Sequence, residues 1–233
     1  MTGQRITVGI IHVNPFPLFA DAREIRVFDD AGKDILVANR VKCYVDLTGL
    51  ASKYLTIRLL VISEPKISAD RPKVEEIVRN VKVYLEQDRK AALKVKVKVI
   101  EVVKADASFR DDELKGTAGA KGLAAEIILG ENPRFSGAIK ELAIEKEGWP
   151  KIICDLKTTV ALKGERLEIK RLEIGSYGST FKGEGSYSKG DGLLKTRLTL
   201  LVDSVKRLFN LRQKGEGMIS VRGDIRIERA TQR

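Results

Sequence analysis

Histidine is almost missing from this chain. Its 233 residues hold one, His12, together with two cysteines, two methionines and one tryptophan. One imidazole and two widely separated thiols do not make a zinc site. A Ser-His-Asp or Cys-His pair would have to use His12. That residue lies in the apolar run Ile10-Ile11-His12-Val13, without a nucleophile elbow, and reads as an ordinary strand residue. Aromatics make up 6% of the chain, too few for the stacking platforms that interleave with basic residues in nucleic-acid binders. No apolar run approaches the roughly 18 residues of a membrane-spanning helix. There is no low-complexity tract and no linker rich in Pro, Gly or Ser. Residues 1–5 pass directly into a strand pattern without the apolar stretch of a leader, which leaves a secreted origin open.

Glycine is plentiful, at 20 residues, but it does not build a phosphate loop. Gly116-Thr117-Ala118-Gly119-Ala120-Lys121-Gly122 lacks the Gly-Lys-Ser/Thr ending of a P-loop, and Gly183-Glu184-Gly185-Ser186-Tyr187-Ser188 fails the dinucleotide pattern at its third glycine. Turns or close sheet packing explain both better. Asp111-Asp112-Glu113 is an ordinary acidic loop. These absences predict a protein that is not an enzyme, with no catalytic residue, no metal, no cofactor and no nucleic-acid partner.

The formal charge is +11. Residues 1–70 hold nine Lys/Arg against eight Asp/Glu, so nearly all the excess follows them. Such a balance favours an anionic partner, and it also serves solubility. Lys94, Lys96 and Lys98 read as the solvated face of a half-buried strand.

The dominant signal is alternation with period two. It appears in Val41–Leu47, in Leu93–Val99, and in Ile152, Cys154, Leu156, Thr158, Val160 and Leu162. It returns in Leu198, Leu200 and Val202, and again in Ile219, Val221, Ile225 and Ile227. Leu167 and Ile169, then Leu172 and Ile174, alternate with a one-residue phase shift that predicts a β-bulge. Turn signals at 30–32, 130–133, 163–164 and 189–192 separate the runs. About a dozen strands with short connections predict an antiparallel meander in preference to βαβ units. Cys43 and Cys154 fall on aliphatic strand faces and are expected as buried, inert thiols, with a disulfide between them left open.

Two segments break the alternation. Asp70-Arg71-Pro72 predicts a helix over about 72–88, with Asp70 as its cap and Val74, Ile77, Val78, Val81 and Leu85 as its apolar stripe. A second, short helix is predicted near 204–211 with Ser204 as cap, and a single turn near 47–52. The chain reads as one elongated unit, 1–233, with a soft internal boundary at about 65–92. So many aliphatic strand faces need covering, and one useful helix is too little. The sheet therefore either closes on itself as a sandwich or barrel, or curls and leaves an apolar groove.

Most of the chain resembles the AsmA/TamB-like family. The resemblance is carried by Ile6–Ile10, Pro15-Phe16-Pro17-Leu18, Ala22–Asp29 and Ile35–Val41. Val45–Leu50, Leu55–Leu59 and Pro65-Lys66-Ile67 extend it, as do Leu167–Ser179 and Phe181–Tyr187. These are strand patterns and not catalytic signatures. The chain departs from the family by carrying no transmembrane helix and no Gly-containing aromatic lead-in before the helix at 74–87. The resemblance implies a curved, mostly β, antiparallel sheet forming a taco-like groove. It implies a periplasmic, non-enzymatic protein, held to the inner membrane by an anchor absent from this chain. That protein would shield phospholipid or other acyl-chain lipid on its way to the outer membrane. Outer-membrane assembly or secretion proteins, bound by strand pairing, are the alternative partners. On this reading the groove is lined by Cys154, Leu156, Val160, Leu162, Ile169, Ile174, Leu200, Val221 and Ile227. Period two alone does not separate an open lining from a closed core.

Overall fold

The computed structural model describes residues 5–29, 32–73, 94–113, 115–188, 191–209 and 216–227. It is mostly β, as the alternation predicts: fourteen strands are found among the described residues. Contacts gather the chain into two units, Met1–Ala124 and Ala125–Arg233.

In the first unit, β1 (Arg5–Thr7), β2 (Ile10–Pro15), β3 (Leu18–Phe28), β4 (Asp34–Asp46) and β5 (Tyr54–Ser63) follow one another. Then come β6 (Lys66–Asp70), β7 (Lys94–Asp111) and β8 (Gly116–Ile128), the last running past the division. Strands β3, β4 and β5 pair antiparallel, and β1 and β2 both pair with β3. The expected single turn is a 3-10 helix at Leu50–Ser52. Lys53 ends it in the left-handed region at φ 60°.

The pure meander fails at one place: β7 pairs parallel to both β5 and β6. Parallel neighbours need a crossover of a dozen residues or more. Here it is the segment between Asp70 and Lys94. Asp70 caps its start as predicted, its carboxylate accepting the Lys73 backbone N–H at 3.0 Å, and residues 71–73 are helical. The rest of the predicted helix lies outside the described residues. The small core of this unit includes Ile35, Ala38 and Ala105. Beside it the buried Asp21 carboxylate receives two hydrogen bonds from the Arg40 guanidinium, at 2.7 and 2.5 Å.

The second unit is an unbroken antiparallel meander. It runs β9 (Arg134–Lys146), β10 (Ile152–Lys163), β11 (Arg166–Ser176), β12 (Ser179–Ser188), β13 (Asp191–Leu201) and β14 (Met218–Ile227), each pairing with the next. The tight β10–β11 turn is made by Gly164 at φ 57°, a conformation that costs glycine nothing.

One helix, α1 (Val202–Phe209), follows β13. It begins two residues before the expected start, so Ser204 is not its cap. The Val202 N–H instead donates to the Gly217 carbonyl at 3.0 Å. The buried Ser204 hydroxyl donates to the Tyr177 carbonyl and ties the helix to the β11–β12 turn.

Candidate functional site

Register decides which side chains share a face of the second unit, since directly opposed residues point the same way. Two bulges adjust it. Thr159 stands opposite Arg171 while Val160 stands opposite Ile169, so β11 carries one extra residue at Lys170. This is the predicted bulge, and it returns Leu172 and Ile174 to the face of Leu167 and Ile169. A second bulge, not read from the sequence, lies in β9. Cys154 opposes Leu142 and Leu156 opposes Ile139, which leaves one extra residue in β9 between them.

With these shifts, all nine candidate residues fall on one face. Ile139, Leu156, Ile174, Phe181, Leu198 and Val221 form a row across the six strands. Phe135, Val160, Ile169, Gly185, Leu194 and Ile225 form a second. Leu162 stands opposite Leu167, and Ile227 opposite Gly192, at one end of the same face. Cys154 and Leu200 belong to its other end. Members that sequence reasoning missed include Phe135 and Ile139, which carry the period-two signal directly, and Leu142, which joins the face once the β9 bulge is allowed for.

Between the two bulky rows runs a row of smaller residues: Gly137, Thr158, Leu172, Gly183, Thr196 and Gly223. Leu172 interrupts it. A side chain added at Gly183 would meet Leu194 at 3.4 Å and Leu172 at 3.7 Å, whereas at Gly223 nothing lies nearer than the Thr196 hydroxyl at 4.0 Å. The face thus carries a shallow trough across the strands, open towards β14.

The burial of this face is unlike that of a packed core. Of the eight candidates whose burial is described, only Cys154 is buried. Leu156, Val160, Ile169, Ile174 and Leu200 are half-buried, and Leu162 and Val221 are 38% and 52% exposed. A core side chain touches six or more neighbours on all sides. These side chains, Cys154 apart, stay partly open to solvent where their burial is described. Both thiols are free, and burial pushes the pKa of Cys154 and of Cys43 up, consistent with unreactive sulfur.

The opposite face is charged. Lys157, Glu173, Lys182, Arg197 and Arg222 form one row there, in register. Glu173 receives a hydrogen bond from Arg171 at 2.6 Å and lies 3.4 Å from Lys182. The Arg171 guanidinium, with Lys182 beyond it, holds its carboxyl below the usual range. A cavity of about 480 Å³ opens on this charged face. No cluster of His, Cys, Asp and Glu suited to a metal occurs among the described residues. None of their helices is long and apolar enough to cross a membrane. In comparisons with known proteins, no family model matches the chain, and no curated protein matches it.

Proposed function

We propose that this protein shields acyl chains of phospholipid or a similar lipid on the aliphatic face of its second unit. The observation that carries the reading is the convergence of nine separately predicted residues on one face, the alternation of six strands resolved by two bulges into bulky rows beside a trough. Half-exposed aliphatic rows favour an apolar occupant, because each CH₂ withdrawn from water contributes about 0.8 kcal/mol. The work is solvation and not bond chemistry, so no catalytic group is required. The resemblance to AsmA/TamB-like proteins supplies the setting: a periplasmic chain of the inner-to-outer membrane route, contributing to envelope biogenesis.

The test is an organic extract of the purified full chain, analysed for phospholipid beside the Gly223→Val variant. Open space at Gly223 admits the larger side chain, and a β-branched residue suits a strand. We expect lipid in the wild type and clearly less in the folded variant. Wild-type protein free of lipid after expression in a diderm bacterium would sink the reading.

A second reading has one observation in its favour. Strand β14 pairs only with β13 among the described residues, and Met218, Ile219 and Val221 along it are 52–66% exposed. An open apolar edge of this kind recruits a strand from another protein.

A further inference from the structure

We propose that the charged face of the second unit holds a second site, one for a phosphate-bearing anion of at least two negative charges, seated over Lys182, Arg197 and Arg222. This goes beyond the lipid reading. It uses the opposite face of the sheet and stands or falls separately.

The argument begins with register. Lys182 stands directly opposite Arg197, and Arg197 directly opposite Arg222, on three adjacent strands. Side chains so placed start roughly 5 Å apart, and like charges there destabilise the sheet. Natural sheets avoid such a row unless something neutralises it. Glu173 does so at one end only. It stands opposite Lys182, and it is shared between Lys182 and Arg171. Arg197 and Arg222 have no carboxylate within ion-pair distance among the described residues. Their nearest acidic neighbours by register, Glu184 and Asp224, both stand opposite Lys195 in the next row.

The three cations border the cavity of about 480 Å³, within the size range of small-ligand sites. Its walls are two charged rows. By register the side chains of Leu172 and Thr196 lie on the other face, so these residues, with Gly183 and Gly223, present backbone as its floor. Six cations border it, Lys170, Arg171, Lys182, Lys195, Arg197 and Arg222, against the three carboxylates Glu173, Glu184 and Asp224. The balance is +3, which suits a multiply charged anion. Arginine in particular presents a planar fork that takes phosphate through two parallel hydrogen bonds. Two guanidiniums side by side, with an ammonium next to them, fit a diphosphate better than a single carboxylate.

The experiment is calorimetric titration of the full chain with inorganic pyrophosphate. The variants are Arg197→Gln with Arg222→Gln, Arg222→Gln alone on the outer strand, and Lys157→Gln as a control on the same face outside the cavity. The wild type should bind one pyrophosphate. The double variant should bind at least about tenfold more weakly, about 1.4 kcal/mol by the affinity relation, and Arg222→Gln should fall between. The control should match the wild type. Without ligand, the double variant should melt no lower than the wild type, because a repulsion has been removed. Vesicles of phosphatidylglycerol, compared with phosphatidylcholine, separate a lipid headgroup from a free phosphate as the source. Binding to the anionic vesicles that is lost in the double variant, alongside pyrophosphate binding, assigns the headgroup. Pyrophosphate binding without vesicle binding assigns a soluble phosphate. No pyrophosphate binding by the wild type, or equal binding by the double variant, overturns the site.

Discussion

Replacing Leu156 by Asp separates an open aliphatic face from a closed core. Leu156 is half-buried between Ile139 and Ile174, its direct neighbours on β9 and β11. If that environment is complete, the substitution removes about half the transfer free energy of a buried leucine, roughly 1 kcal/mol. The poorer strand propensity of Asp adds up to about 1 kcal/mol more. For a unit of this size, about 2 kcal/mol lowers the melting temperature by roughly 10 °C. The variant should therefore remain folded, with its β-type circular dichroism intact and its melting transition still cooperative. A closed core predicts something else. An unpaired carboxylate forced into it costs at least about 3–5 kcal/mol beyond the lost packing, most of the roughly 5–15 kcal/mol that holds a domain together. The assay is a thermal melt of Leu156→Asp and Val160→Asp, followed by extraction of bound lipid. Folded variants with depleted lipid support the account. Variants that are unfolded at room temperature would refute the open face, and folded variants with wild-type lipid would refute the occupant.

Three further outcomes follow from the geometry. Gly185→Ala should destabilise the second unit by about 1–3 kcal/mol in urea melts, because the added carbon would stand 2.0 Å from the Leu193 carbonyl oxygen; an unchanged midpoint would refute that close approach. The hydrogen-bonded Arg40 guanidinium lowers the Asp21 pKa, so that ion pair's stabilisation is complete above the ordinary carboxylate value of about 3.9 and is lost as pH falls through the lower folded value. Wild type should thus lose more stability than Asp21→Asn between about pH 5 and pH 2, and parallel profiles for the two would contradict the assignment. Native protein at pH 8 should react slowly with a disulfide reagent at both thiols, more slowly at the buried Cys154 than at half-buried Cys43, and fast labelling of Cys154 would contradict its burial.

Much of this arrangement was legible in the sequence, for a physical reason. Alternation reports the side-chain face directly, so the aliphatic positions of β10, β11, β13 and β14 could be named one by one. The phase slip between Ile169 and Leu172 exposed the β11 bulge, because a bulge is a slip in alternation. Asp70 was readable as a cap because its role depends on the backbone three residues on. What stayed hidden is what depends on partners. Alternation is blind to strand direction, so the parallel pairing of β7 with β5 and β6 left no trace beyond the helix signal in its crossover. Ser204 looked like a cap, but its hydroxyl is taken by Tyr177, 27 residues earlier in the chain. The row of Lys182, Arg197 and Arg222 is invisible in sequence, because its members become neighbours only through the register of two hairpins.

Period two also gives the most direct test of the central claim. A photo-crosslinking amino acid placed in turn at Leu156, Lys157, Thr159 and Val160 samples alternate faces of β10 along a few residues. After irradiation in cells of a diderm bacterium, lipid adducts are read by mass spectrometry. An acyl occupant on the aliphatic face predicts adducts at positions 156 and 160 and none at 157 and 159. Adducts at neither pair, or equally at both, would contradict it.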